Sequence, residues 1–281
     1  MNKKICLLMI LCLCFMIVIC LGTPQIELKE VDNDVAPIVS AKGAVLIDGK
    51  GSGIIYAKDA ERILYPASTT KIMTALVALE ILEEIDAGMN SRVKIPREAV
   101  GVEGSSLYLK ENEDVSVEEL MYGMMLHSGN DAATAIAICT GGSMENFLRR
   151  MNERATAIGC KSTHFSNPSG LFDEEHFTTA LDLALISREA MKNEDFRKIV
   201  SASEWTSPET GRKFRNKNKT VGGYDGATGV KIGYTKASGR TLVASAKKGE
   251  KELIAVVLSA PDWFSDAYAL LDYGFLREGD R

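Results

Sequence analysis

The 281-residue chain is 46% hydrophobic and 25% charged, and its 33 lysines and arginines face 38 aspartates and glutamates for a net charge of −5. That balance is ordinary for a globular chain long enough to bury a core, and it excludes a disordered or repetitive protein. The signs are interspersed with no basic face, so nucleic acid is not an expected partner.

Lys3 and Lys4 precede an apolar run from Ile5 to Leu21 closed by Gly22, Thr23 and Pro24. Residues 1–22 therefore read as an export signal, either cleaved or kept as an N-terminal membrane anchor, which places the protein at the extracytoplasmic face of the membrane or in the medium. Residues 23–38 are acidic, proline-punctuated and without period, and read as a linker. One domain is expected over 39–281. Gly43–Ile47 and Ile54–Ala57 read as a β-hairpin across Asp48–Gly53, and an apolar-periodic helix follows through Ile72, Met73, Leu76, Val77, Leu79 and Leu82. From Glu98 to Ile199 the pattern is almost wholly helical. Ser116 with Glu119 and Thr179 with Asp182 read as capping boxes, Ser143 as an N-cap, and Gly159 as a helix end. Thr228–Tyr234, Thr241–Ala246 and Leu253–Leu258 read as strands, and Asp266–Leu276 as a closing helix. The expected fold class is α/β (α+β): an antiparallel sheet built from about 39–97 and 200–276, flanked by helices, with an inserted helical lobe at about 98–199 and a cleft between the two. Of six cysteines, Cys6, Cys12, Cys14 and Cys20 lie in the leader, leaving Cys139 and Cys160. No metal-ligand spacing exists among them, one disulfide is conceivable, and Cys139 on its apolar pattern reads as a buried thiol.

The segment with chemical content is Pro66-Ala67-Ser68-Thr69-Thr70-Lys71 at the head of the first helix. Ser68 and Lys71, three residues apart, share a helix face, which sets a hydroxyl beside an amine. An alcohol is a weak nucleophile until a neighbour takes its proton, and a lysine kept partly neutral by burial or a second cation serves as that base. The helix N-terminus adds N–H groups for a developing oxyanion. Alone, this spacing is common and as readily describes a cap and a solvated lysine. Two further motifs in order change the reading: Ser128-Gly129-Asn130 between helical patterns, and Lys231-Ile232-Gly233 on a strand.

S-x-x-K, S-x-N and K-x-G form the active-site set of penicillin-binding proteins and serine β-lactamases. The segments PASTTKIMTAL, HSGNDAA, NPSGL and GVKIGYTKASGRTLVASA resemble the low-molecular-mass D-alanyl-D-alanine carboxypeptidases of peptidase family S11, from about Ala41 to Phe275. The resemblance implies the penicillin-recognising fold and removal of the terminal D-alanine from peptidoglycan stem pentapeptides, with β-lactam antibiotics as covalent inhibitors. It implies no cofactor or metal. Ser68 is then the nucleophile, Lys71 its base and Ser128 a proton relay to the departing amine. Asn130 holds Lys71 and donates to the substrate, Lys231 receives the terminal carboxylate, and the N–H groups of Ser68 and Tyr234 form the oxyanion hole. Gly233 suits a strand that a peptide approaches closely. Lys217 and Thr235 are further candidates for the carboxylate, because Ile232 stands where relatives usually carry a threonine. Many S11 carboxypeptidases continue into a C-terminal β domain, which is not expected here.

Two other functions stay open at this level. A β-lactamase of class A needs a glutamate for deacylation, and Glu189–Asn193 matches only as E-x-x-x-N, far downstream. A catalytically weak peptidoglycan-binding module would keep the fold without turnover. His127 adjoins Ser128 but is not expected to face it, His176 reads as a surface histidine, and Met121, Met124 and Met125 read as core.

Overall fold

The computed structural model describes residues 36–51 and 53–277. The export signal over 1–22 and most of the 23–38 linker lie outside the described residues. Among the described residues no helix is long and apolar enough to cross a membrane.

Strands β1 (Gly43–Asp48) and β2 (Ile54–Lys58) form the first hairpin, and a 3-10 turn over Ala67–Thr70 leads into α1 (Lys71–Glu84). The short β3 (Arg92–Lys94) pairs with β4 (Asp114–Ser116) before α2 (Val117–Tyr122). A π turn over Gly123–His127 joins α2 to α3 (Asn130–Gly141), and α4 (Met144–Ile158) follows. After a long loop come α5 (Ala180–Ala190) and α6 (Glu194–Ser201), then a small hairpin of β5 (Glu204–Thr206) and β6 (Lys213–Arg215). The long strands β7 (Ala227–Thr235), β8 (Gly239–Lys248) and β9 (Lys251–Leu258) precede α7 (Trp263–Leu276).

The main sheet has the order β2-β1-β9-β8-β7, antiparallel throughout, so the two chain ends do complete one sheet. β1 lies against β9 from Gly43 opposite Leu258 to Asp48 opposite Leu253. Alternation along these strands feeds two cores, because successive side chains point to opposite faces. Val45, Ile47, Val243, Ile254 and Val256 face the helical side. Ala44, Leu46, Leu242, Ala244 and Val257 face the other side, where α7 covers them. β7 is left as an edge, with its outer side turned to the cleft. Helix α1 is buried on every side as far as Leu82 rather than on one stripe, in keeping with an apolar run from Ile72 to Leu82 interrupted by Thr74 and Glu80.

The middle of the chain departs from the reading in several places. Stretches 100–113 and 159–179 are loop, and α5 and α6 pack on the sheet strands β1, β9 and β7. The β5–β6 hairpin has no counterpart in the sequence reading. Both capping boxes are half made. Ser116 Oγ accepts from the Glu119 N–H, but Glu119 turns to Arg212 Nη1 (2.8 Å) and Ser207 Oγ (2.5 Å) instead of back to the cap. Thr179 Oγ1 accepts from Asp182 N–H, while Asp182 accepts from the N–H groups of Lys161 and Ser162 and from Thr163 Oγ1. In each case a long-range partner outcompetes the local one. Ser143 caps α4 and Gly159, at φ 99°, ends it as expected. Cys139 and Cys160 are free thiols, each half-buried, and burial pushes both thiols up.

Candidate active site

Lys71 is the centre of the cleft. It has no exposed surface, and its Nζ lies 2.9 Å from Ser68 Oγ, 2.7 Å from Asn130 Oδ1 and 2.7 Å from the Ser169 carbonyl. A buried polar group needs its partners satisfied, and here the identities of those partners set the proton arrangement. Asn130 Oδ1 and a backbone carbonyl only accept; the Asn130 Nδ2 is committed to the Glu103 carbonyl at 2.7 Å. A neutral amine has two N–H donors and one lone pair. The protonated amine donates to all three oxygens; once it loses a proton, two donors stay on Asn130 and Ser169 and the lone pair is left for the Ser68 hydroxyl. The amine is held well below its ordinary basicity by burial first, then by Lys231 and Lys217, with Asp131 opposing.

Lys231 is the second buried lysine, 1% exposed, with Nζ 3.0 Å from Ser128 Oγ and 3.1 Å from the Ile232 carbonyl. Burial and then Lys217 lower it to about 7. Ser128 ends the π turn in the left-handed region at φ 70°, a backbone state with a steric cost for a residue carrying a Cβ. That turn directs its hydroxyl at Lys231. Asn130 follows as the first residue of α3, with its own N–H donating to the Ser105 carbonyl at 2.7 Å.

Gly233 brings the edge strand onto the nucleophile: a Cβ there would sit 2.8 Å from Ser68 N and 2.5 Å from Thr241 Oγ1. Only glycine allows that approach. Tyr234, the next residue, is 64% exposed at the mouth of the cleft. Lys217 is exposed too, its Nζ at 3.4 Å from Ser105 Oγ, and its charge reaches both buried lysines. Thr235 is elsewhere engaged. Its hydroxyl bonds Ser238 Oγ at 2.9 Å and accepts from Ser238 N–H at 3.0 Å, closing the β7–β8 turn. The Ile232 side chain, one position from Lys231, packs against the core on the far face of the sheet.

Three groups that sequence reasoning missed hold this arrangement. The Ser169 carbonyl belongs to the Asn167–Leu171 turn, whose N–H groups at Ser169, Gly170 and Leu171 all donate to Asn167 Oδ1. Gly170, at φ 83°, passes so close to the Ala67 carbonyl that a Cβ would lie 1.8 Å from its oxygen. Asp131, buried, accepts from the N–H groups of Leu107 and Leu109 and from Ser106 Oγ, fixing the loop that carries Ser105. A backbone carbonyl leaves no trace in a sequence, and the other two look like loop residues. His176 corrects the surface reading: it is 1% exposed, with Nε2 2.8 Å from Thr70 Oγ1 and Nδ1 accepting from Ser166 N–H at 3.1 Å. Burial lowers it to about 4, so it stands neutral behind the nucleophile's turn. His127 lies against the Phe214 ring, and Glu189 is paired with Arg154 and Lys192.

The comparisons with known proteins agree with one another. A family model described as D-alanyl-D-alanine carboxypeptidase, peptidase S11, matches residues 30–262. The chain is 39% identical over 223 residues to the D-alanyl-D-alanine carboxypeptidase DacF of Bacillus subtilis, over 78% of this chain and 57% of that one. It is 32% identical over 260 residues to the D-alanyl-D-alanine carboxypeptidase of Streptomyces sp. strain K15, over 85% and 88% of the two chains. The crystal structure of the Streptomyces K15 DD-transpeptidase matches with a TM-score of 0.79 at 32% identity, covering 86% of this chain and 99% of that one. The chain thus spans less than two thirds of the Bacillus relative and nearly the whole of the Streptomyces one.

Proposed function

The chain belongs to the D-alanyl-D-alanine carboxypeptidases of peptidase family S11, and on that premise we propose that it removes the terminal D-alanine from peptidoglycan stem pentapeptides through an acyl-enzyme on Ser68. The observation that carries this reading is the Lys71 amine, buried between two acceptors with its remaining valence on Ser68 Oγ at 2.9 Å.

Lys71 Nζ takes the Ser68 proton as Oγ attacks the carbonyl carbon of the penultimate D-alanine. The tetrahedral oxyanion is held by the N–H groups of Ser68 and Tyr234. As the C–N bond breaks, the proton passes from Lys71 by way of Ser128 to the departing amine, and D-alanine leaves. Water then adds to the ester carbonyl, the C–O bond to Ser68 breaks, and the serine regains its proton. Lys231 receives the terminal carboxylate, helped by Lys217, and Asn130 donates to the peptide backbone. A β-lactam antibiotic enters the same sequence, but its opened ring keeps the leaving nitrogen tethered to the acyl group. The substrate lies outside the cytoplasmic membrane, in keeping with an export signal over 1–22 that secretes or anchors the chain.

Incubation with a diacyl-Lys-D-Ala-D-Ala peptide is expected to release D-alanine, and Ser68→Ala is expected to abolish both that release and labelling by fluorescent penicillin. The cost to stability is at most about a cap's worth, ~1 kcal/mol. Labelling of a folded Ser68→Ala protein would overturn the nucleophile assignment. Nitrocefin turnover without D-alanine release would instead favour a β-lactamase, and binding without either a non-catalytic module.

A further inference from the structure

The turn that presents Ser68 depends on its neighbours. Ala67, where it begins, sits in the left-handed region at φ 50°, a conformation that is costly for a residue with a Cβ and persists only where the surroundings impose it. Neither Pro66 ahead of the turn nor Thr70 at the head of α1 supplies a side-chain cap. Support comes from distant segments instead. Thr241 Oγ1 donates to the Pro66 carbonyl at 3.0 Å, and Thr70, fully buried, gives its hydroxyl to His176 as a partner.

His176 meets that hydroxyl with one ring nitrogen and a second backbone segment with the other. The Ser166 N–H donates to Nδ1 at 3.1 Å, so Nδ1 carries the lone pair, the ring proton sits on Nε2, and Nε2 donates to Thr70 Oγ1 at 2.8 Å. Burial, with Asp173 opposing and His164 and Lys71 adding to it, lowers the ring to about 4, and at neutral pH it keeps one proton and this tautomer. The backbone beside the ring is pinned on two sides: Phe177 exchanges hydrogen bonds with His164 at 2.9 and 3.0 Å, and Thr178 with Leu64 at 2.8 and 2.9 Å. Phe165 lies edge-on to the ring, 5.6 Å between centroids. Ser166 leads directly into the Asn167–Leu171 turn, whose Ser169 carbonyl holds Lys71. One ring therefore ties together the segment that carries the nucleophile and the segment that fixes its base.

We propose that His176 is a positioning residue for the acylation step, acting through Thr70 to hold the Ser68 turn in register with the Ser169 carbonyl, an assignment that rests on the carboxypeptidase reading of the Ser68 cleft. Substrate recognition falls to Lys231, Lys217, Asn130 and the β7 edge, none of which His176 bonds, so its loss is read in the rate and not in affinity. Thr70→Val removes the hydroxyl at constant shape, and His176→Asn keeps an acceptor for the Ser166 N–H while falling short of Thr70. A misplacement of ~1 Å at reacting atoms costs up to ~100-fold. Each variant is thus expected to lower kcat for D-alanine release, and the limiting rate of penicillin acylation, by ~10- to 100-fold with KM changed by less than ~3-fold. The double variant is expected to be no slower than the slower single one, because both remove the same link. Thr70→Ser restores the hydroxyl and His176→Gln a donor at the Nε2 position, and each is expected to recover at least ~5-fold over Thr70→Val and His176→Asn respectively. Parental kcat in folded Thr70→Val, losses that multiply in the double variant, no recovery in the Ser and Gln variants, or a KM rise that accounts for the whole loss would each overturn the assignment. If His176→Asn does not fold, the comparison of Thr70→Val with Thr70→Ser decides by the same rates. A parent that is acylated by penicillin but releases no D-alanine would overturn the carboxypeptidase reading, while the acylation rates would still test His176.

Discussion

Lys231→Met tests whether the cleft holds its second buried lysine against the pull of solvent. Burial and Lys217 lower this lysine from 10.5 to about 7. The unfolded chain binds the proton below pH ~10.5 and the folded one only below pH ~7, so between those values the unfolded state carries more protons and stability rises with pH. The penalty is absent above ~10.5, grows by ~1.4 kcal/mol per pH unit as the pH falls, and totals ~5 kcal/mol once the folded lysine is protonated. At pH 7 it stands at ~4 kcal/mol. Methionine keeps the aliphatic volume and titrates nowhere, but it leaves Ser128 Oγ and the Ile232 carbonyl without their donor, a loss of ~1–3 kcal/mol. Urea denaturation is therefore expected to find the variant ~1–3 kcal/mol more stable at pH 7, with the difference shrinking by ~1 kcal/mol for each pH unit up to 9.5. Parallel stability curves would refute the reasoning, because a solvated Lys231 has no such slope. The same variant should lose carboxylate recognition, and with one cation gone Lys71 recovers basicity, so the acid limb of penicillin acylation moves to higher pH.

Lys71→Arg keeps the charge but cannot be neutral at working pH; penicillin labelling is expected to vanish, and near-normal labelling would remove Lys71 from the base role. Gly170→Ala places a methyl into the Ala67 carbonyl at φ 83° and should cost at least ~2 kcal/mol in denaturant titration along with most of the acylation rate; an unperturbed variant would show that the Asn167–Leu171 turn does not set the nucleophile's backbone. The Ile232 side chain packs on the face of the sheet away from the cleft, so Ile232→Thr is expected to leave the rate of penicillin acylation unchanged; a clear gain in a folded variant would show that this position reaches the carboxylate after all.

Ser68 and Lys71 were legible because a three-residue spacing on a helix is a local fact, and the terminal strands because their apolar runs are short and bounded by turns. The sheet that unites them was legible from order along the chain, with helical pattern between two sets of strands. What escaped was everything set by a distant partner. Glu119 reads as a capping residue until Arg212, nearly a hundred positions later, claims it. His176 reads as exposed until the fold buries it behind Thr70. Thr235 escaped for a local reason instead: Ser238, three residues on in the β7–β8 turn, engages its hydroxyl. The third partner of Lys71 is a main-chain oxygen, and the side chain of Ser169 says nothing of it.

Because β9 is laid between β1 and β8, the strand that joins the two halves of the sheet is among the last to be synthesised. Until it exists, β1 has no inner neighbour and the apolar run of α1 has only part of its burial, so the contacts that define the domain span almost its whole length. Topologies of that kind fold slowly, since distant segments must meet before any contact rewards them. A nascent chain remains open and adhesive over much of its synthesis, a state suited to threading through a narrow pore and hazardous if left to stand. Truncation before Lys251 would accordingly leave no smaller stable sheet, only two half-layers with their central strand missing.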